Sequence, residues 1–162
     1  MQHYRSLKKQ NGFTIIELMV VIIILVILGT LVALTYSGVQ TKNRNAERQS
    51  SINSLQGQLE AYYAQTDKYP TLASLNDANW RSKNLKNLPA NALQDPKWSK
   101  SSKKCASSSR AIAAGSPTED CYSYQVTGSD GSACDNAKIN CAHYTLTAML
   151  EGGDKYVKSS LN

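Results

Sequence analysis

Hydrophobic and polar positions divide this chain into three regimes. From Leu18 to Leu34, seventeen consecutive residues carry no charge. At about 1.5 Å per helical residue they cover about 25 Å, and with the apolar residues on the Phe13 side they reach a bilayer's ~30 Å core. After Leu34 polar residues appear, but nothing stops a helix. Val39, Ala46, Ile52, Leu55, Leu59 and Tyr62 or Tyr63 recur at helical spacing. Lys42, Arg44, Glu47, Arg48, Gln49 and Gln56 take the other faces. The pattern predicts one helix from the membrane to about Gln65, apolar all round in its first half and amphipathic in its second. The second half is expected to pack one stripe on a domain, and the first half to project. Asp67-Lys68-Tyr69-Pro70 ends the helix, since a residue before proline is biased away from helix. Thr71 is placed to cap a short helix through Leu75.

In the third regime the period drops to two. Cys121–Thr127 alternates with Tyr122, Tyr124 and Val126 on one face, and Tyr144–Leu150 with Tyr144, Leu146, Ala148 and Leu150. Tyr156–Lys158 is a short last strand, reached through the tight turn Gly152-Gly153-Asp154. Ser99 to Thr118 is rich in Ser, Ala and Lys and reads as a surface loop. The fold expected is α+β, a long N-terminal helix packed on a small antiparallel meander.

Glu17 breaks the apolar pattern. A carboxylate in a membrane helix costs roughly 2.5–3.5 kcal/mol near the centre and less toward the interface, so it is read as functional, with a cationic partner. A cut between Gly12 and Phe13 supplies that partner. Phe13 would gain a free α-amine one helical turn from Glu17. An ammonium and a carboxylate meeting between neighbouring helices would fix their register, the best-attested use of a buried ion pair.

A short basic leader ending in Gly12, then Phe13-Thr14-Ile15-Ile16-Glu17-Leu18-Met19-Val20-Val21-Ile22, resembles the class III signal of type IV pilins and of the pseudopilins of type II secretion and competence systems. The resemblance covers about the first quarter of the chain. It implies cleavage after Gly12 by a prepilin peptidase, methylation of Phe13, and polymerisation into a helical homo-oligomeric fibre through Glu17 and the apolar helix. The implied partners are the membrane, an assembly platform protein and its ATPase. Residues 1–12 are then the leader, 13–37 the transmembrane and assembly helix, and 38–162 the head. Leu59-Glu60-Ala61-Tyr62-Tyr63, Lys68-Tyr69-Pro70-Thr71, Leu88-Pro89 and Asp95-Pro96-Lys97-Trp98 are similar to later family stretches, in the expected order. The helix-bending proline of many pilins is missing, and Gly29 and Gly38 are weaker bending points.

Charge sets the orientation. The chain carries +6, of which Arg5, Lys8 and Lys9 of the leader supply three, leaving +3 after cleavage. Those three charges keep the leader cytoplasmic and send the rest outside, first as a single-pass membrane protein and then as a cell-surface fibre. On that side Cys105, Cys121, Cys134 and Cys141 read as two disulfides. Of three connectivities, Cys105–Cys121 with Cys134–Cys141 closes the shortest loops and is chosen. Zinc held by Cys134, Cys141 and His143 matches no common structural spacing.

No catalytic constellation stands out: His143 is alone, His3 lies in the leader, and the chain reads as no enzyme. G-type pseudopilins carry a calcium site in a C-terminal loop, and the resemblance nominates Asp130, Asp135, Glu151 and Asp154 as oxygen ligands. Without an EF-hand-like spacing, solvated turn residues are the favoured reading, with no cofactor. Lys97, Trp98, Lys100, Lys103, Lys104 and Arg110 offer a surface for DNA, but ordinary soluble surface is favoured. Outside the family, the competing reading is a membrane-anchored or secreted binding module. A signal peptide cut after Thr35-Tyr36-Ser37 would leave Gly38 at its terminus.

Overall fold

Helix α1 runs from Ile15 to Thr66 in the computed structural model, which describes residues 12–89, 91–98, 105 and 112–162, without the side chains of 32–37. Chain contacts divide it into one unit ending at Gln40 and another spanning Thr41–Asn162. α1 ends where Asp67 turns into the left-handed region at φ 56°. There the Asp67 amide closes back on the Tyr63 carbonyl at 2.7 Å. The Thr66 hydroxyl lies within hydrogen-bond distance of the carbonyls of Tyr62 and Lys68, 2.9 and 3.0 Å away, and its one proton is shared between them.

Two short helices follow. α2 (Leu72–Asn76) starts at Thr71, whose hydroxyl accepts the Ser74 amide at 3.1 Å. α3 (Ala78–Asn84) starts at Asp77, whose carboxylate accepts the amides of Asn79 and Trp80. Each is an N-cap of the expected chemistry.

Three strands form an antiparallel sheet in the order β1 (Ser123–Thr127), β2 (His143–Met149), β3 (Lys155–Ser159). Tyr124 stands opposite Leu146, and Ala148 opposite Tyr156. This register puts Tyr122, Tyr124, Tyr144, Leu146 and Ala148 in the core. β1 begins two residues later than the alternation suggested, because Cys121 is held in a bridge with Thr118. In the β2–β3 turn the Leu150 amide donates to the Asp154 carbonyl at 2.8 Å. Gly152 (φ 112°) and Gly153 (φ 95°) take backbone conformations that side chains disfavour.

The core of the Thr41–Asn162 unit forms where α1 meets this sheet. Ile52, Leu55 and Leu59 are fully buried, one face over two turns. Each contributes roughly 1.5–3 kcal/mol of burial. The stripe is shorter than the periodicity suggested, since Ala46 is exposed and Val39 is 48% exposed. Arg48, which the sequence places among the outward polar residues, is instead 0% exposed.

Tyrosines fill the space beside the stripe. Tyr69 stacks on Tyr63 and meets Tyr144 edge-on, both at 4.6 Å between ring centroids. Their polar tips are served: Tyr69 and Tyr144 donate to the two oxygens of Glu60, and Tyr124 donates to the Pro70 carbonyl.

Candidate assembly site

The N-terminal end of α1 is closed by its own side chains. The Thr14 hydroxyl donates to Glu17 Oε2 at 2.8 Å, and the Thr14 amide donates to the same oxygen at 3.0 Å. In return the Glu17 amide donates to Thr14 Oγ1 at 3.3 Å. Thr14-Ile15-Ile16-Glu17 is thus a capping box, the Ser/Thr-x-x-Glu pattern in which cap and acid satisfy each other's free donors. The pattern was present in the sequence, but reading Glu17 only as an ion-pair partner passed over it. Phe13 lies just outside the helix and is 86% exposed. Its nitrogen is an amide in the uncut chain, so a charged pair with Glu17 requires the cut. The leader residues 1–11 lie outside the described residues.

Past this cap the helix shows an apolar surface with nothing covering it. Every large apolar side chain described from Phe13 to Leu31 is at least 45% exposed. Soluble monomers rarely expose more than a few hundred Å² of contiguous apolar surface. Thr30, inside this surface, donates its hydroxyl to the Ile27 carbonyl at 2.8 Å and so presents no free donor to an apolar neighbour. Among the described residues no helix is long and apolar enough to cross a membrane. The described side chains of this stretch end at Leu31, seventeen residues from Ile15, or about 25 Å against a ~30 Å core. The sequence carries the run on through Val32, Ala33 and Leu34.

In the Thr41–Asn162 unit, a charged cluster joins α1 to the 91–98 segment and the β2–β3 turn. Arg48 and Asp95 form a two-pronged pair, Nε to Oδ2 at 2.7 Å and Nη2 to Oδ1 at 3.0 Å. The remaining Arg48 donors go to Asn45 Oδ1, Glu151 Oε1 and the Glu119 carbonyl. All five donors of the guanidinium are therefore used. Glu151 also receives Arg44 and, at 3.2 Å, Lys97. The Arg44 hydrogen bond, with Lys97 and Arg48 behind it, holds the Glu151 carboxyl well below the usual carboxylate range.

This cluster decides several residues nominated from sequence. Glu151 is occupied by three cationic side chains. Asp135 caps a turn, accepting the amides of Ala137, Lys138 and Ile139. Asp130 accepts the Ser132 amide, and Asp154 is exposed. Among the described residues, no three His, Cys, Asp or Glu side chains are grouped to hold a metal ion. The four calcium candidates are not brought together, because two are spent on turns and one on the clamp. Lys97 of the basic stretch is drawn into the clamp too, while Lys100, Lys103, Lys104 and Arg110 lie outside the described residues.

The structure forms the disulfides Cys105–Cys121 and Cys134–Cys141, with Cα separations of 5.4 and 5.2 Å. Inside the second loop, Asn136 adopts φ 59°. Its amide donates to the Tyr69 carbonyl at 2.7 Å, and its oxygen accepts the Cys141 amide at 2.8 Å. The Tyr69 amide in turn reaches the Cys141 carbonyl at 2.8 Å. The stapled loop is thereby tied to the segment that follows α1. His143 is exposed at the start of β2, its Nδ1 3.4 Å from the Ser160 hydroxyl.

Known proteins resemble part of this chain in sequence. The family model for the prokaryotic N-terminal methylation motif matches residues 7–33. The chain is 39% identical over 64 residues to type II secretion system core protein G of Dickeya chrysanthemi, covering 40% of this chain and 42% of that one. It is 38% identical over 71 residues to the protein of that name from Aeromonas hydrophila, covering 44% and 50%. With the Klebsiella pneumoniae protein it is 37% identical over 65 residues, covering 40% and 46%. The chain thus spans half or less of the length of these relatives, and no solved structure matches it. With a capped acid at the head of a bare apolar helix, a methylation motif across that head, and an α+β unit built on the same helix, this chain is similar to the pseudopilins of type II secretion over about two fifths of its length.

Proposed function

We propose that this chain is the structural subunit of a pilus-like fibre, cut after Gly12 and methylated on Phe13. The observation that carries the reading is the run of large, exposed apolar side chains from Phe13 to Leu31, interrupted by one acid. Such a surface needs an apolar surrounding. A bilayer supplies it to the stored subunit, and the helices of neighbouring subunits supply it in the fibre. Assembly then exchanges lipid for protein around each helix, and Glu17 meets a terminal ammonium that the hydrocarbon core of a bilayer does not offer. Chemistry is done to this chain, by a prepilin peptidase, and not by it. The remaining partners are further copies of the chain, a membrane assembly platform and its ATPase. The head lies on the outer side of the cytoplasmic membrane.

The relatives are all core proteins of type II secretion, and this favours a secretion pseudopilus over a surface pilus. Two measurements on the producing cells test the reading. Intact mass and N-terminal sequence of the mature chain are expected to give methylated Phe13, and microscopy of sheared or overproduced material is expected to give fibres containing it. A mature chain beginning at Gly38, or one found only as soluble monomer, would overturn it. Deletion of the gene is expected to stop protein export; loss of surface filaments with export intact would point to a pilus instead.

A further inference from the structure

A second site lies at the other end of α1. Gln58, Tyr62 and Gln65 on one face of that helix, with Lys83 and Lys86 at and after the end of α3, line a cleft of about 320 Å³. That volume is at the lower end of small-molecule sites. No carboxylate lines the cleft, and two ammonium groups do. Neither Lys83 nor Lys86 has an ion-pair or hydrogen-bond partner among the described residues, and the side chains of Gln58 and Asn87 are equally unengaged. Two further amides are already oriented. Gln65 donates to the Ala61 carbonyl at 3.1 Å and Asn84 to the Trp80 carbonyl at 2.8 Å. Each keeps its carbonyl oxygen and a second N–H for a ligand. The Tyr62 ring is fixed from behind, edge-on to Trp80 at 5.2 Å.

We propose that this cleft binds an acidic saccharide, with Lys83 and Lys86 meeting a uronate carboxylate and the amides pairing with its hydroxyls. The donor and acceptor count selects this ligand class. Phosphate and sulfate oxygens only accept, and they would leave the amide carbonyls of Gln58, Gln65, Asn84 and Asn87 without donors. A sugar hydroxyl both donates and accepts, so it pairs with an amide on either side. A neutral sugar would satisfy the amides but leave the two lysines of the cleft without an acid. Single-stranded nucleic acid needs an open aromatic face for stacking, and here the only lining aromatic is packed against Trp80.

The test is calorimetric titration of the full chain in detergent micelles with a hyaluronan tetrasaccharide, a chitin tetrasaccharide and a short single-stranded DNA. The acidic saccharide is expected to bind saturably and weakly, with Kd on the order of 0.1–1 mM, as suits a small solvent-facing site. Lys83→Gln with Lys86→Gln is expected to weaken it about tenfold, the loss of two exposed ion pairs. Both positions are exposed, so the variant keeps its fold, and an unchanged melting temperature checks this. Equal binding of the chitin oligomer, or undiminished hyaluronan binding by the double variant, would overturn the proposal. So would DNA binding that is tighter than hyaluronan binding and is lost in the same variant. Binding is read on the unassembled subunit, so its failure says nothing against the fibre reading, nor the reverse.

Discussion

Arg48 and Asp95 lie 47 positions apart and meet as a fully buried, two-pronged ion pair. Neither side chain retains exposed surface. Burying two charges costs several kcal/mol each, and mutual attraction offsets this only when every donor is matched, as it is here. Removing one partner strands the other. Asp95→Leu is expected to cost about 3–5 kcal/mol, and Arg48→Met a similar amount. The double variant should be much less damaged than the two costs added, because no uncompensated charge remains. Urea unfolding of the four chains in micelles measures this. Additive losses would show that the two residues do not act as a pair.

Glu151 gives the head a pH dependence. The Arg44 contact and its neighbours depress its folded-state pKa, so the folded protein holds this proton less tightly than the unfolded one. Its contribution is therefore fully present above the unfolded value, about 4.3, and is lost as pH falls below it toward the depressed folded value. The melting temperature is expected to be flat from neutral pH to about pH 5, then to fall. Glu151→Gln should melt lower at neutral pH and lose part of the acid-side slope. A variant whose slope matches the parent's would remove Glu151 from this account.

Asn136 carries a conformational cost and two hydrogen bonds. Asn136→Ala loses both bonds, at about 1 kcal/mol or somewhat more each, and loses the local polar side chain that lets asparagine tolerate positive φ, for about 1 kcal/mol further. Asn136→Gly loses the bonds but not the backbone preference. Glycine is thus expected to be the milder change by roughly 1 kcal/mol, in the same unfolding assay. If alanine is the milder, the left-handed conformation is not what the loop requires.

Much of this fold was legible because it rests on periodicity. Ile52, Leu55 and Leu59 mark the buried face of α1 by spacing alone, and the strands reveal themselves by alternating Tyr122-Tyr124 and Tyr144-Leu146. Arg48 was illegible by the same rule. Hydrophobic spacing assigns an arginine to the solvent, and only Asp95, Glu119 and Glu151, which the fold brings in from elsewhere in the sequence, make its burial affordable. The nominated metal ligands show the converse. Local sequence presents four acids near two turns but cannot say that Asp135 is used by its own loop. Helix α3 was open to reading through Asp77, an N-cap residue whose carboxylate accepts the Asn79 and Trp80 amides, although no apolar period marks the helix.

The capping box separates two roles of Glu17 that the motif alone merges. One role is local: Glu17 and Thr14 close the first turn of α1. The other is the proposed one between chains, where the carboxylate would meet the ammonium of a cleaved Phe13. Thr14→Val removes the hydroxyl that bonds Glu17, costing roughly 1 kcal/mol of helix start, and leaves the acid in place. Glu17→Leu removes both roles. It also lowers the cost of insertion, so membrane levels of the subunit should be equal to the parent's or higher. Breaking one half of a buried pair costs about 3–5 kcal/mol, well beyond the cap's share. The expected pattern is therefore fibres from Thr14→Val, somewhat reduced, and none from Glu17→Leu, with both subunits present in the membrane. Fractionation of the same cells into membrane and sheared material gives both readings at once. Equal loss of fibres in the two variants would assign Glu17 to the cap alone. Assembly of Glu17→Leu at the parent's level would dismiss the inter-chain pair altogether.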